Sequence, residues 1–198
     1  MKSHTVLLIL LIIAVLAVFS FTQLFNNSPE VDAKKFFEED LQESYPYADV
    51  REVLSVNKVG AGSQDYYILK ARVSSGLDTP CPERIEVEYN YPARNFVKSD
   101  EKIVYGCQVC VENTQNCHIL YPEEAIIASH TYLGAERVKE YISEYPSATP
   151  LVSLLPDFEG EKNVWQVVWD STQSYYSITV YLSQNDNKVL SITTLNHS

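Results

Sequence analysis

Twenty residues from Val6 to Phe25 carry no charge, and the first fourteen, Val6 to Phe19, are apolar without interruption. A helix of that length rises about 30 Å, the hydrocarbon thickness of a bilayer, so the segment is expected to be a transmembrane anchor. Ser20, Thr22 and Gln23 weaken its second half. Lys2 and His4 precede it, and the preference for positive charge on the cytoplasmic side places residues 1–5 inside and the rest outside, a single-pass arrangement at the cell membrane. A cleaved signal peptide is the alternative, which would make the chain secreted: fourteen apolar residues also suit an h-region, with Val18 and Ser20 as small residues before a cut, although Ala-x-Ala is absent. Both readings export residues 26–198.

Export sets how the rest is read. Removing Lys2 from the 15 basic residues leaves 14 against 26 acidic ones, a formal charge near −12 beyond the anchor. Such a surface repels phosphate backbones, so nucleic acid is not an expected partner. A hydrophobic content of 45% with 14 tyrosines is too high for disorder, and the segment is expected to fold.

Ser28-Pro29-Glu30 reads as a helix start, with apolar Val31, Ala33, Phe36, Phe37 and Leu41 at helical spacing as far as about Ser44, and Tyr45-Pro46 ends it. Strand patterns follow at Val50 to Val59 and Tyr66 to Val73, with a Gly60-Ala61-Gly62-Ser63 turn between them. Arg84 to Tyr89 alternates strictly, Ile85, Val87 and Tyr89 against Arg84, Glu86 and Glu88, the pattern of a half-buried antiparallel sheet. The C-terminal half repeats the order: Pro122-Glu123-Glu124-Ala125 opens a helix, Gly134 interrupts it, Ala135 to Glu144 continues, and Tyr145-Pro146 ends it. Strands are expected at Leu151 to Leu155, Val164 to Trp169, Tyr175 to Leu182 and Lys188 to Thr194. Tyr45-Pro46-x-Ala48 and Gly60 recur as Tyr145-Pro146-x-Ala148 and Gly160 at an offset of 100, while Ile85 and Val87 recur as Ile178 and Val180 at 93. The seven-residue difference falls at Gly76 to Pro82, and a period this long indicates duplicated domains rather than a solenoid.

The expected fold is therefore α+β: a transmembrane helix followed by two helix-on-antiparallel-sheet modules at residues 29–107 and 122–198, with a cysteine-bearing connector at 108–121. The second module resembles the PepSY type of extracytoplasmic domain through Pro122-Glu123-Glu124-Ala125-Ile126-Ile127-Ala128, through Val164-Trp165-Gln166-Val167-Val168-Trp169, and through Tyr176 to Leu182 with Lys188-Val189-Leu190-Ser191. The resemblance covers residues 122–195, with a fainter echo in 29–99, and Asp186-Asn187-Lys188 stand where the family has an aspartate-x-x-threonine-glycine turn. It implies a helix packed across a short antiparallel sheet and binding or inhibition of a partner, an exported peptidase among the candidates.

Four cysteines carry the most chemical information. An even count in an exported domain favours disulfides, with Cys110 and Cys117 pairing across a hairpin tip and Cys81 left for Cys107. A zinc site from the same sulfurs, with His118, is one alternative, and a redox-active Cys107-x-x-Cys110 is another. The runs Glu38-Glu39-Asp40 and Glu123-Glu124 are read as solvated helix faces or first-turn acids. No His-Glu-x-x-His, Gly-x-Ser-x-Gly or phosphate-binding glycine loop occurs, and no catalytic residue, metal ligand set or cofactor is assigned. Trp165, Val167 and Trp169 share the face expected under the helix, which leaves Tyr175 and Tyr181 on the open face as the candidate binding surface. Asn26 and Asn196 each begin a glycosylation sequon.

The preferred function from sequence is recognition of a protein or peptide by a membrane-anchored extracytoplasmic module. A thiol- or metal-dependent enzyme centred on Cys107 and Cys110, and a structural subunit of an envelope assembly, are the alternatives.

Overall fold

The computed structural model describes residues 29–60, 66–91, 99–109, 118–186 and 188–197. Helix α1 (Pro29–Ser44) begins with acidic Glu30 and Asp32, which the positive end of the helix dipole favours. It buries Ala33, Phe37 and Leu41, spaced by four and so stacked on one face. They cover one face of a four-stranded antiparallel sheet, β1 (Val50–Val59), β2 (Tyr66–Ser75), β3 (Glu83–Tyr91) and β4 (Ser99–Val104), whose spatial order follows the chain. Period-two alternation decides which side chains meet the helix: Tyr67, Leu69, Ala71 and Val73 from β2 and Val87 and Tyr89 from β3. The ring of Phe37 meets that of Tyr89 edge-on, centroids 4.5 Å apart.

The chain repeats this order in its second half, with one addition. Helix α2 (Pro122–Thr131) and helix α3 (Glu136–Glu144) precede β5 (Thr149–Phe158), β6 (Glu161–Asp170), β7 (Tyr176–Ser183) and β8 (Val189–Asn196), again an antiparallel sheet in chain order. Gly134, at φ +93°, takes the left-handed turn that separates the two helices. The hand-over from helix to first strand is the same in both halves. Tyr45 N–H donates to Leu41 and Ala48 N–H to Tyr45, at 3.0 and 3.2 Å, while Tyr145 N–H donates to Tyr141 and Ala148 N–H to Tyr145, at 2.8 and 2.9 Å. Helix α1 has no basic residue in its last turn. Arg51 reaches back from β1 instead, donating to the carbonyls of Tyr45 and Pro46 at 2.7 Å each.

The second core lies between α2, α3 and the sheet. Trp165, Val167 and Trp169 point into it with Ile178, Val180 and Leu182, and α3 contributes Val138 and Tyr141. Both indoles find acceptors: Trp165 Nε1 donates to the Ile119 carbonyl at 2.8 Å and Trp169 Nε1 to Ser129 Oγ at 2.9 Å.

The expected fold class requires correction. The described chain consists of two four-stranded antiparallel sheets and three helices, and two of those helices serve the second sheet. No helix among the described residues is long and apolar enough to cross a membrane. The physical reason is plain: α2 and α3 span 10 and 9 residues, half of what a bilayer needs, and α1 carries a charged face with Lys34, Lys35, Glu38 and Glu39. The segment Val6 to Phe25, on which the transmembrane helix was expected, lies outside the described residues.

Truncating Phe37 to alanine is expected to lower stability by roughly 3–5 kcal/mol, because the residue is fully buried and its ring has a partner on the sheet. Chemical denaturation followed by tyrosine fluorescence measures it. A loss below about 1 kcal/mol would mean that α1 is not packed on the first sheet as described.

Candidate functional site

Two features stand out from the packing: a buried charge cluster where the halves meet, and a face on the second sheet whose centre is uncharged. The cluster begins in sequence with α2, whose residues from Glu123 to Ser129 are all buried. A helix buried all round must have something on both sides. On one side is its own sheet. On the other is the outer face of the first sheet, where Ser74, Arg72 and Arg84 lie opposite the face that α1 covers.

Glu123 has no solvent exposure. Ser74 Oγ donates to its Oε1 at 3.1 Å, and the Nη1 atoms of Arg72 and Arg84 stand at 3.4 and 3.5 Å, ionic contacts rather than short hydrogen bonds. Glu124 is also buried. Its Oε2 accepts the backbone N–H groups of Leu120 and Tyr121 at 2.6 and 3.1 Å, the reach-back of an N3 glutamate to a helix start, and its Oε1 pairs with Arg84 Nη2 at 2.8 Å. Tyr121 presents its ring to both guanidiniums, 4.3 Å from Arg72 and 4.5 Å from Arg84. Arg72 also pairs with Glu52 across the strand at 3.0 Å. The expectation that Glu123 and Glu124 are solvated is thereby overturned. Their neighbours Ala125-Ile126-Ile127-Ala128, with no polar position for an outer face, are the signal in sequence that this helix is covered on both sides.

Beside the cluster lies the disulfide. Cys81, in the β2–β3 loop, is bonded to Cys107. Cys107 follows Gly106 in a tight turn closed by the Tyr105–Gln108 bridge, with both central residues at positive φ, 64° and 60°. The bond closes a separation of 26 residues, which in the chain-entropy picture stabilises the fold by roughly 3 kcal/mol. His130 of α2 touches this unit, its Nε2 lying 2.8 Å from the Pro80 carbonyl and 3.8 Å from Cys107 Sγ. The two sulfurs and the imidazole nitrogen lie within 4.8 Å of one another, the spacing of a metal site. The donor chemistry does not fit, because sulfurs shared in a disulfide offer no thiolate. Cys107, being bonded to Cys81, is also not available for a couple with Cys110. Cys110 and Cys117 lie outside the described residues, as does Asn26, and Asn196 is the exposed last residue of β8, paired with Tyr176.

The outer face of the second sheet carries three rows across its strands: Leu151, Val168, Thr179 and Thr193; Ser153, Gln166, Tyr181 and Ser191; and Ser177 with Leu195. None is charged. The corresponding face of the first sheet is laced with ions, Lys70 to Glu88 at 3.4 Å and Arg72 to Glu52 at 3.0 Å. The middle row is linked, Ser153 Oγ to Gln166 Oε1 at 3.1 Å and Gln166 Nε2 to Tyr181 OH at 3.2 Å, and the Tyr181 ring stacks on Phe158 at 3.9 Å. Tyr181 is thus a half-buried, fixed part of the face, whereas Tyr175 is 72% exposed at the start of β7. Leu151 and Leu195 are 73% and 68% exposed on the same face. Compared with known proteins, the chain matches no family, no curated sequence and no solved structure.

Glu123→Ala is expected to cost roughly 3–5 kcal/mol, because it removes the buried carboxylate shared by two buried guanidiniums, leaving Arg72 only Glu52 and Arg84 only Glu124. A double-mutant cycle with Arg84→Met, read by denaturation midpoint, should show strong coupling; additive effects would remove the cluster as a joint between the halves. The burial of His130 holds its pKa below the ordinary value of 6.5, against the upward pull of its bond to the Pro80 carbonyl. The folded chain then binds fewer protons than the unfolded chain between that lowered value and 6.5. Stability from this group is complete above that window and is lost as pH falls through it. Thermal midpoints recorded from about pH 7.5 to about pH 5 should fall in the wild type and fall less in His130→Asn. Parallel curves would show that His130 does not titrate in this way.

Proposed function

We propose that the chain is an extracytoplasmic binding module, exported by its apolar N-terminal segment and retained at the membrane unless that segment is cleaved, which recognises a protein or peptide through the open face of its second sheet. The observation that carries this reading is the charge contrast: in a chain with a net charge of −11, the rows through Leu151 and Ser153 and the pair Ser177 and Leu195 hold no charge, and the acid nearest them, Asp170, stands at one end of the face. Charged residues are depleted and tyrosines enriched at the centres of protein interfaces, because a buried charge must shed its water and a tyrosine brings area with little lost freedom. Exposed leucines on a fixed sheet complete such a surface, since they lose unfavourable hydration on contact. The PepSY resemblance of residues 122–195 adds an exported peptidase as the kind of partner to try first.

The test is capture of exported proteins by the full chain in detergent, with Leu151→Asp compared with Lys70→Glu on the charged face of the first sheet. A partner retained by the second variant and lost by the first, at unchanged thermal midpoints, supports the reading. Loss with Lys70→Glu alone would move the binding surface to the first sheet and overturn it.

A further inference from the structure

The two sheets have four edges, and three of them are guarded by charge or proline. An edge strand offers unpaired backbone N–H and carbonyl groups, which charges, prolines, bulges or shortness ordinarily protect from other chains. Strand β1 carries Arg51, Glu52 and Lys58 and a register shift between Val53 and Ser55. Strand β4 is six residues long and holds Asp100, Glu101 and Lys102. Strand β5 contains Pro150 and Pro156. Strand β8 has neither charge nor proline: Val189-Leu190-Ser191-Ile192-Thr193-Thr194-Leu195-Asn196 is eight residues whose one irregularity is the extra residue Leu190, and from Ser191 to Asn196 its register is unbroken. It is last in its sheet, so no strand among the described residues pairs with its far side, and Thr193 to Asn196 are exposed. It also borders the uncharged face.

We infer that the free edge of β8 accepts an extended segment of the partner as a ninth strand in the fold, and that this segment has an uncharged, β-branched centre flanked by basic residues. The inference rests on the binding reading above and names its partner chemistry. Strand addition draws affinity from backbone hydrogen bonds and specificity from alternate side chains, and here those would lie along Thr193 and Leu195 on the uncharged face. The basic flanks follow from charge. The chain has a net charge of −11, and Asp170, 3.4 Å from His197, stands beyond the last residue of β8, while at its start Asp186 and Lys188 pair at 3.3 Å and cancel. That field draws in a cationic segment and repels an acidic one. The same charge argues against a second copy of this chain as the occupant. Two such copies repel, and eight residues a side fall well short of the roughly 20–30 a side of a stable interface.

The experiment uses the full chain in detergent micelles and a labelled, capped decapeptide of alternating valine and threonine with two lysines at each end, read by fluorescence anisotropy. Expected are saturable binding, at least tenfold weaker binding when the flanks are glutamate, and loss of binding when every central amide is N-methylated. The double variant Thr193→Lys with Leu195→Lys, whose positions are exposed and outside the core, should weaken binding at least tenfold at an unchanged thermal midpoint. No binding by the lysine peptide overturns the inference. Binding that survives N-methylation and the double variant but is lost in Leu151→Asp also overturns it, while leaving the face-binding reading intact. A dimer in sedimentation velocity without peptide, dissolved by the double variant, would give the edge to a second copy and overturn it as well.

Discussion

A carboxylate without solvent is costly unless its charge is answered, and Glu123 is answered only by groups from the other half of the chain. Arg72 and Ser74 come from β2, Arg84 from β3, and Tyr121 closes the cluster with its ring. Separating the halves would strand two buried acids, Glu123 and Glu124, on α2 and leave Arg84 on the first sheet without either of its carboxylates. A hydrophobic filling of the same volume could stabilise as much, so the cluster's distinctive contribution is direction: it accepts one mutual placement of the halves and penalises others. The disulfide, His130 and the Leu77 side chain, which packs into the second core, all lie along that same joint.

With the joint set, each sheet has one face under helices and one face turned away. On the first sheet the outward face is charged, and one end of it is consumed by the joint. On the second the middle of the outward face is uncharged, and an ion pair, Asp170 with His197, lies at one end. An acidic chain that leaves one flat surface without charge has concentrated its repulsion elsewhere, which makes that surface the place where a partner loses least on approach. The stacking of Tyr181 on Phe158 and the linked row through Gln166 mean that this surface is held in shape before anything binds.

Much of this was legible in residue order. The strict alternation from Arg84 to Tyr89 lies within β3, the four-residue spacing of Ala33, Phe37 and Leu41 marks the buried stripe of α1, and the shared face of Trp165, Val167 and Trp169 lies in the second core. Tyr45-Pro46 and Tyr145-Pro146 end their helices with matching hydrogen bonds. Local periodicity reports such things because it depends only on which neighbours along the chain share a side. Glu123-Glu124 defeated the same reasoning. Two acids in a first turn satisfy the helix dipole whether or not a second sheet lies over them, and Arg72 is 51 residues away. The turn at Gly106-Cys107 is equally hidden from local periodicity, since Cys107 sits at positive φ while bonded to Cys81, 26 residues away.

By itself, then, the sequence determined the local elements, the acidic surface and the uncharged run from Val189 to Asn196, all of which follow from residue type and spacing, while it left the cysteines between disulfide, zinc and redox readings. Only the tertiary structure decided that α2 is covered on both sides, that the acids at its start are joined to the first sheet, and that β8 is left at an edge. Those outcomes depend on contacts between residues far apart in the chain, where burial turns a surface charge into a structural joint and sheet order decides which backbone stays unpaired.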